Sequence, residues 1–148
     1  MSNDIASDVV IDATVDEVWA LTIDVERWPD STPTMTSIER LDDGPMRVGS
    51  TARVVQPKQR PTVWTVTAID APHTFEWEAK VFGVSMVATH HLVPLDDGSR
   101  CRNELRLRLS GVGSGLMRRL LGSTLRKTIE TENQGFKRVA EAAHPADH

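Results

Sequence analysis

The sequence predicts an α+β fold, a curved antiparallel sheet of about seven strands packed against helices on one side. Three observations predict it. Six strand-like runs follow one another between about residues 35 and 109, separated by short turn signals. The stretch 114–143 contains no proline and repeats apolar residues at helical spacing. The remaining helix signals sit directly behind a first strand. Strands joined by short connections pair as antiparallel hairpins, and one sheet with its helices on one side is an α+β layer arrangement.

"SDVVIDAT" (7–14) reads as the first strand. In "TVDEVWALTID" (14–24), Thr14 and Glu17 form the capping pattern in which each side chain satisfies a free donor at a helix start. Val15, Val18, Trp19 and Thr22 give that helix one apolar side. "VERWPDSTP" (25–33) continues as a short helix or turn. Pro29 disfavours helical backbone at Trp28, so a break is expected there. Strands are expected at 35–41, 48–56, 62–70, 74–81, 84–94 and 99–109.

The final helix carries Leu121, Leu125, Ile129, Phe136, Val139 and Ala143 at intervals of three, four or seven. Gly122 and Gly135 each weaken it by up to ~1 kcal/mol relative to alanine, which permits a bend. At 1.5 Å per residue it is about 45 Å long and crosses the whole sheet. A sheet wrapped around such a helix leaves space between the two, the natural place for a ligand.

Bulk properties bound the function. The 148 residues fit one domain, 1–148, with its core at about 7–143. A net charge of −4 argues against nucleic acid as the main partner. The lone cysteine, Cys101, has no internal disulfide partner, which fits a reducing cytoplasm. The acidic N-terminus predicts no signal peptide. No apolar run approaches the ~18 residues of a membrane span, so no stable membrane insertion is expected. The tail at 144–148 is expected to fray.

"THH" places His90 and His91 side by side. In "FEWEAKV" (75–81), Phe75, Trp77, Ala79 and Val81 alternate with Glu76, Glu78 and Lys80. With a two-residue turn at "FG" (82–83), Val81 faces Val84 and Phe75 faces His90. His90 then points inward and His91 outward. The two rings cannot hold one metal ion from the same side, so neither a metal nor a cofactor is expected. His90 is either a neutral core histidine, a ligand contact or an acid–base group.

In "RCRNELRLRL" (100–109), Cys101, Asn103, Leu105, Leu107 and Leu109 share the inner face. Asn103 should lie beside His90 on the neighbouring strand, and four of the five outward residues are arginines on a solvated sheet surface. Glu132 interrupts the apolar stripe of the last helix. It either reaches solvent at a cavity edge or is an acid with a raised pKa. Trp19 and Trp28 read as packing residues, whereas Trp64 and Trp77 line the inner wall. "SGVGSGL" (110–116) lacks the G-x-G-x-x-G spacing and reads as a flexible connection. "MRRLLGSTLRK" (117–127) is basic and amphipathic, with its arginines expected on the outer helix face and transient contact with a membrane or partner surface open.

Several stretches resemble one family. "VVIDATVDEVWALTIDVERWPD" (9–30), "VGSTARV" (48–54), "WTVTAIDAPHTFEWE" (64–78) and "VPLDDGSRCRNELRL" (93–107) are similar to the START-like, birch-pollen-allergen-like superfamily. Within it, they resemble the bacterial polyketide cyclase/dehydrase and lipid-transport (SRPBCC) branch. The resemblance implies a helix-grip fold and a hydrophobic cavity, and it carries no catalytic motif. The chain has no tyrosine, so phenolic acids are missing from any such cavity.

The first expectation is binding or transport of a lipid, isoprenoid or polyketide-like molecule by a monomer or homodimer. Trp64, Val66, Trp77, Met86, Ala88, Leu105, Leu125, Ile129 and Phe136 supply apolar contact, and His90, Asn103 and Glu132 orient the ligand. The alternatives are a polyketide cyclase/dehydratase with His90 or Glu132 as the catalytic acid–base group, and a partner-binding or stress-response protein whose cavity is incidental.

Overall fold

The computed structural model describes residues 4–143, so the expectation for the tail lies outside the described residues. The sheet strands are β1 (Ile5–Ile11), β2 (Ser37–Arg40), β3 (Thr51–Val55), β4 (Thr62–Asp70), β5 (Thr74–Val81), β6 (Val84–Leu95) and β7 (Arg100–Ser110). They form one seven-stranded antiparallel sheet in the order β1-β7-β6-β5-β4-β3-β2. Strands β2 to β7 pair as consecutive hairpins, and β1 closes the far edge against β7.

Helix α1 (Val15–Ile23) starts at the predicted capping box, with Thr14 and Glu17 bonding to each other's backbone N–H. A 3-10 helix, Val25–Asp30, follows and keeps Pro29 inside it. The expected break at Trp28 is therefore replaced by a tighter helix. Its carbonyl at Trp28 accepts from the N–H of Ser31 at 2.9 Å.

Helix α2 (Ser114–Ala142) runs 29 residues without interruption. Gly135 does not bend it. A Cβ there would overlap the backbone carbonyl of Ser31, so glycine lets the 3-10 segment and α2 approach closely. The same carbonyl accepts from Arg138 Nη2 at 2.7 Å. On the other side of α2, Lys137 Nζ donates to the Val10 carbonyl at 2.9 Å.

The β5–β6 turn uses Phe82 at φ 51° and Gly83 at φ 79°, the two left-handed positions that a type I′ turn requires. Val81 then faces Val84, Trp77 faces Ala88 and Phe75 faces His90, as the alternation predicts. The β6–β7 connection is longer than a tight turn, with Asp96–Gly98 forming a 3-10 segment. This sets the register so that His90 faces Leu105 and Asn103 faces Leu92. The expected neighbourhood of Asn103 and His90 is thus off by two residues.

The interior contains two apolar clusters. One joins α1 and the 3-10 helix to Val66, Phe75, Trp77, Leu92, Phe136 and Ala140. The other joins Ile5, Val84, Leu105, Leu107, Leu109 and Ile129, with Trp64, Met86, Ala88, Met117 and Leu125 partly buried against it. The buried side of α2 is Ile129, Glu132, Asn133, Gly135, Phe136 and Ala140. The predicted stripe needs correcting at its ends. Leu121 is exposed, and Ala140 takes the place expected of Ala143, which is exposed.

Candidate functional site

His90 points inward from β6 and is buried, but the space it faces is filled with rings. Trp28 lies 5.0 Å from it, Phe136 5.7 Å and Phe75 5.9 Å, centroid to centroid. Trp28 is held in place by its indole N–H, which donates to the Leu21 carbonyl at 3.0 Å. Trp28 is a packing residue, as expected, and what it packs on is the histidine. His90 Nδ1 has no hydrogen-bond partner among the described residues. Burial disfavours the charged imidazolium and lowers the pKa to about 4, so the ring is neutral at physiological pH. His91 faces outward, with Nδ1 2.9 Å from the Thr74 hydroxyl.

Asn103 turns to the helix instead of the histidine. Its amide donates to Asn133 Oδ1 at 2.9 Å. Asn133 donates back to the Asn103 carbonyl at 3.2 Å and to the Ser7 carbonyl at 3.0 Å. This network ties α2 to β7 and β1. Asn133 was missed by the sequence reading. The available signal was the lone amide at Asn103 among leucines, because a buried amide requires a partner.

Glu132 is buried on the adjacent side of α2, where Thr34 Oγ1 donates to its carboxylate at 3.1 Å. Burial raises its pKa to about 7, with the Thr34 bond pulling the other way. It belongs to the interior and not to solvent. No pattern in "DSTPTMTS" (30–37) singles out Thr34 as its partner.

The second cluster is less tightly closed. Trp64, Met86, Ala88, Met117 and Leu125 are all on the inside of the grip, yet each is only partly buried. Trp64 and Trp77 are in contact, with ring centroids 5.6 Å apart. The structure therefore divides the predicted site residues. Val66, Trp77, His90 and Phe136 lie in or against the ring-filled end, and Asn103 and Glu132 are tied to Asn133 and Thr34. Trp64, Met86, Ala88, Leu105, Leu125 and Ile129 gather at the looser end.

Arg118 also lies at the looser end, which corrects its expected place on the outer helix face. It is seven residues before Leu125 and eleven before Ile129, which puts it on the sheet-facing side of α2. Its Nη1 is buried and has no partner among the described residues. Arg119 beside it is exposed.

Two hollows lie elsewhere. One, of about 290 Å³, sits outside Trp28 between Leu21, Arg27, Ser31, Phe136 and Val139. The other, of about 650 Å³, is on the outer sheet face between Arg60, Thr65, Thr67, Glu78 and Lys80. The outward arginines of β7 are engaged by carboxylates, among them Arg106 with Asp8 at 2.6 Å and Arg102 with Glu104 at 2.8 Å. Among the described residues, no helix is long and apolar enough to cross a membrane.

A long helix gripped by a curved seven-stranded antiparallel sheet, with short helices after the first strand, defines a helix-grip α+β protein. The chain belongs to the polyketide cyclase / dehydrase and lipid transport family, whose model matches residues 3–141. Solved structures share the fold. The Zhui aromatase/cyclase from Streptomyces sp. R1128 is 18% identical with a TM-score of 0.74, over 97% of this chain and 96% of that one. Norcoclaurine synthase from Thalictrum flavum is 14% identical with a TM-score of 0.72, over 93% and 85%. The di-domain ARO/CYC BexL from the BE-7585A biosynthetic pathway is 18% identical with a TM-score of 0.73, over 97% of this chain. This chain spans only 48% of BexL. At these identities the likeness is one of fold. No curated protein matches by sequence.

Proposed function

We propose that this protein binds a mostly apolar small molecule at the looser end of its interior, between the inner faces of β4–β7 and the first half of α2. The observation that carries the reading is the incomplete burial of Trp64, Met86, Ala88, Met117 and Leu125, all inward-facing apolar side chains. Apolar surface left partly wet inside a fold gains on contact with an apolar ligand, at about 25 cal/mol per Å² removed from water. His90 acts as packing on this reading, because the rings of Trp28, Phe75 and Phe136 already surround it.

A second reading has one observation in its favour. Burial pushes the Glu132 carboxyl up to about 7 beside the Thr34 hydroxyl, which suits a general acid in a cyclase or dehydratase. His90, with its pKa near 4 and rings on several sides, is the weaker candidate.

Titration with the neutral fluorophore Nile red tests the binding reading. Saturable binding is expected, and Ala88→Trp, which fills the looser end, should abolish it while the circular dichroism spectrum is unchanged. Binding that survives Ala88→Trp, or no binding in the unmodified protein, overturns the proposal. Turnover of a poly-β-keto substrate lost in Glu132→Gln with the fold intact would favour the second reading.

A further inference from the structure

We infer that Arg118 is an anion-binding residue of the ligand site, and that the ligand is an amphiphile with a carboxylate or phosphate head. This rests on the proposed binding function and specifies its ligand class. Three observations carry it.

The first is the position of the guanidinium. Arg118 shares the sheet-facing side of α2 with Leu125 and Ile129. Its Nη1 is inaccessible to solvent and has no hydrogen-bond partner among the described residues. A guanidinium is always charged and carries five donors in a planar fork. Leaving one of them buried and unmatched is unfavourable, and a carboxylate or phosphate that accepts two parallel bonds matches that fork.

The second is the lack of an internal counter-ion. Among the described residues Arg118 forms no ion pair. The inner residues that cluster with Leu125 and Ile129 at this end, Ile5, Val84, Met86, Leu107 and Leu109, carry no charge. Glu132 is on the same helix but about 21 Å further along at 1.5 Å per residue, too far to serve.

The third is the field around it. From Gly111 to Ile129 the chain has Arg118, Arg119, Arg126 and Lys127 and no acidic residue. The first turn of α2 has neither an acidic residue nor a side-chain cap. Arg118 and Arg119 lie one turn inside the start of α2, and no carboxylate between Gly111 and Ile129 offsets them. This clustering favours an anion at that end. The apolar residues of the looser end would take the tail while Arg118 takes the head.

The test uses the full chain and three probes with one tail: dodecanoate, dodecyl phosphate and dodecanol, titrated below their aggregation limits by calorimetry. At least one anionic probe should bind ten-fold or more tightly than dodecanol, and comparing the two anions tells carboxylate from phosphate. Arg118→Gln should bring the anions down to the affinity of dodecanol and leave dodecanol unchanged. Arg118→Lys should keep part of the preference, and Arg119→Gln should keep most of it. Equal affinity for anions and alcohol overturns the anion site and leaves the binding function standing. So does an Arg119→Gln loss as large as that of Arg118→Gln, which would mark a general surface-charge effect. If none of the three binds, both proposals fall.

Discussion

Asn103 on β7 and Asn133 on α2 hydrogen-bond each other in both directions, side-chain amide to side-chain carbonyl at 2.9 Å and side-chain amide to main-chain carbonyl at 3.2 Å. Both are fully buried. Removing either strands polar atoms where water cannot replace them. Asn133→Ala and Asn103→Ala should each lower stability by roughly 1–3 kcal/mol per group left unpaired. The double variant should lose less than the sum, because the second deletion removes the stranded partner. Urea unfolding of the four proteins checks this. Strict additivity would mean that the two amides do not act as a unit.

Two of the three glycines in α2, Gly122 and Gly135, should respond in opposite directions. Gly135→Ala pushes a methyl group into the Ser31 carbonyl and should cost about 1–3 kcal/mol, the usual range for overpacking. Gly122 has only the flexible Arg118 side chain near the position of its missing Cβ, at 3.9 Å. Gly122→Ala should therefore stabilise the protein by up to ~1 kcal/mol through helix propensity. Thermal melts of both variants decide it, and a stabilising Gly135→Ala would contradict the close approach.

Two buried groups give stability opposing pH dependences. The Glu132 carboxyl is raised from 4.5 to about 7, so its contribution is fully present below 4.5 and is lost as pH rises through about 7. The His90 imidazole is lowered from 6.5 to about 4, so its contribution is fully present above 6.5 and is lost as pH falls through about 4. Between 4.5 and 6.5 the two slopes oppose each other. Relative to the parent protein, Glu132→Gln should steepen the loss of stability on acidification in that window. His90→Gln should flatten or reverse it. Each amplitude is on the order of a few kcal/mol, at 1.36 kcal/mol per pKa unit. Urea unfolding at pH 5, 6, 7 and 8 gives the slopes, and parallel curves for all three proteins would rule out the burial of these charges.

The sheet was readable from local signals. Alternation in 75–81 and the two-residue turn after it were enough to pair Phe75 with His90, because side-chain direction on a strand has a period of two. Asn103 failed because its register depended on the Asp96–Gly98 connection, whose 3-10 geometry is not encoded by simple turn counting. The site was harder still. That Trp28 covers His90, and that Thr34 reaches Glu132, depends on contacts between residues 62 and 98 positions apart in the chain. Arg118 looked like a surface arginine because four basic residues in a short stretch obscure which one faces inward. Only the helix phase, fixed by Ile129 and Phe136, identifies it.

Helix α2 is fastened unevenly. Its second half is fixed on both flanks, by Asn133 to β1 and β7, by Lys137 to β1, and by Gly135 and Arg138 to Ser31. Its first half rests on Met117 and Leu125, which are only partly covered, while Leu116 and Leu120 stay exposed. Cooperative units with few buried contacts open at lower free energy than the global transition. The helix is thus clamped near Phe136 and more lightly packed toward Ser114. A guest held under the lightly packed half would leave the clamp untouched, and the aromatic packing around His90 would keep the rest of the domain intact.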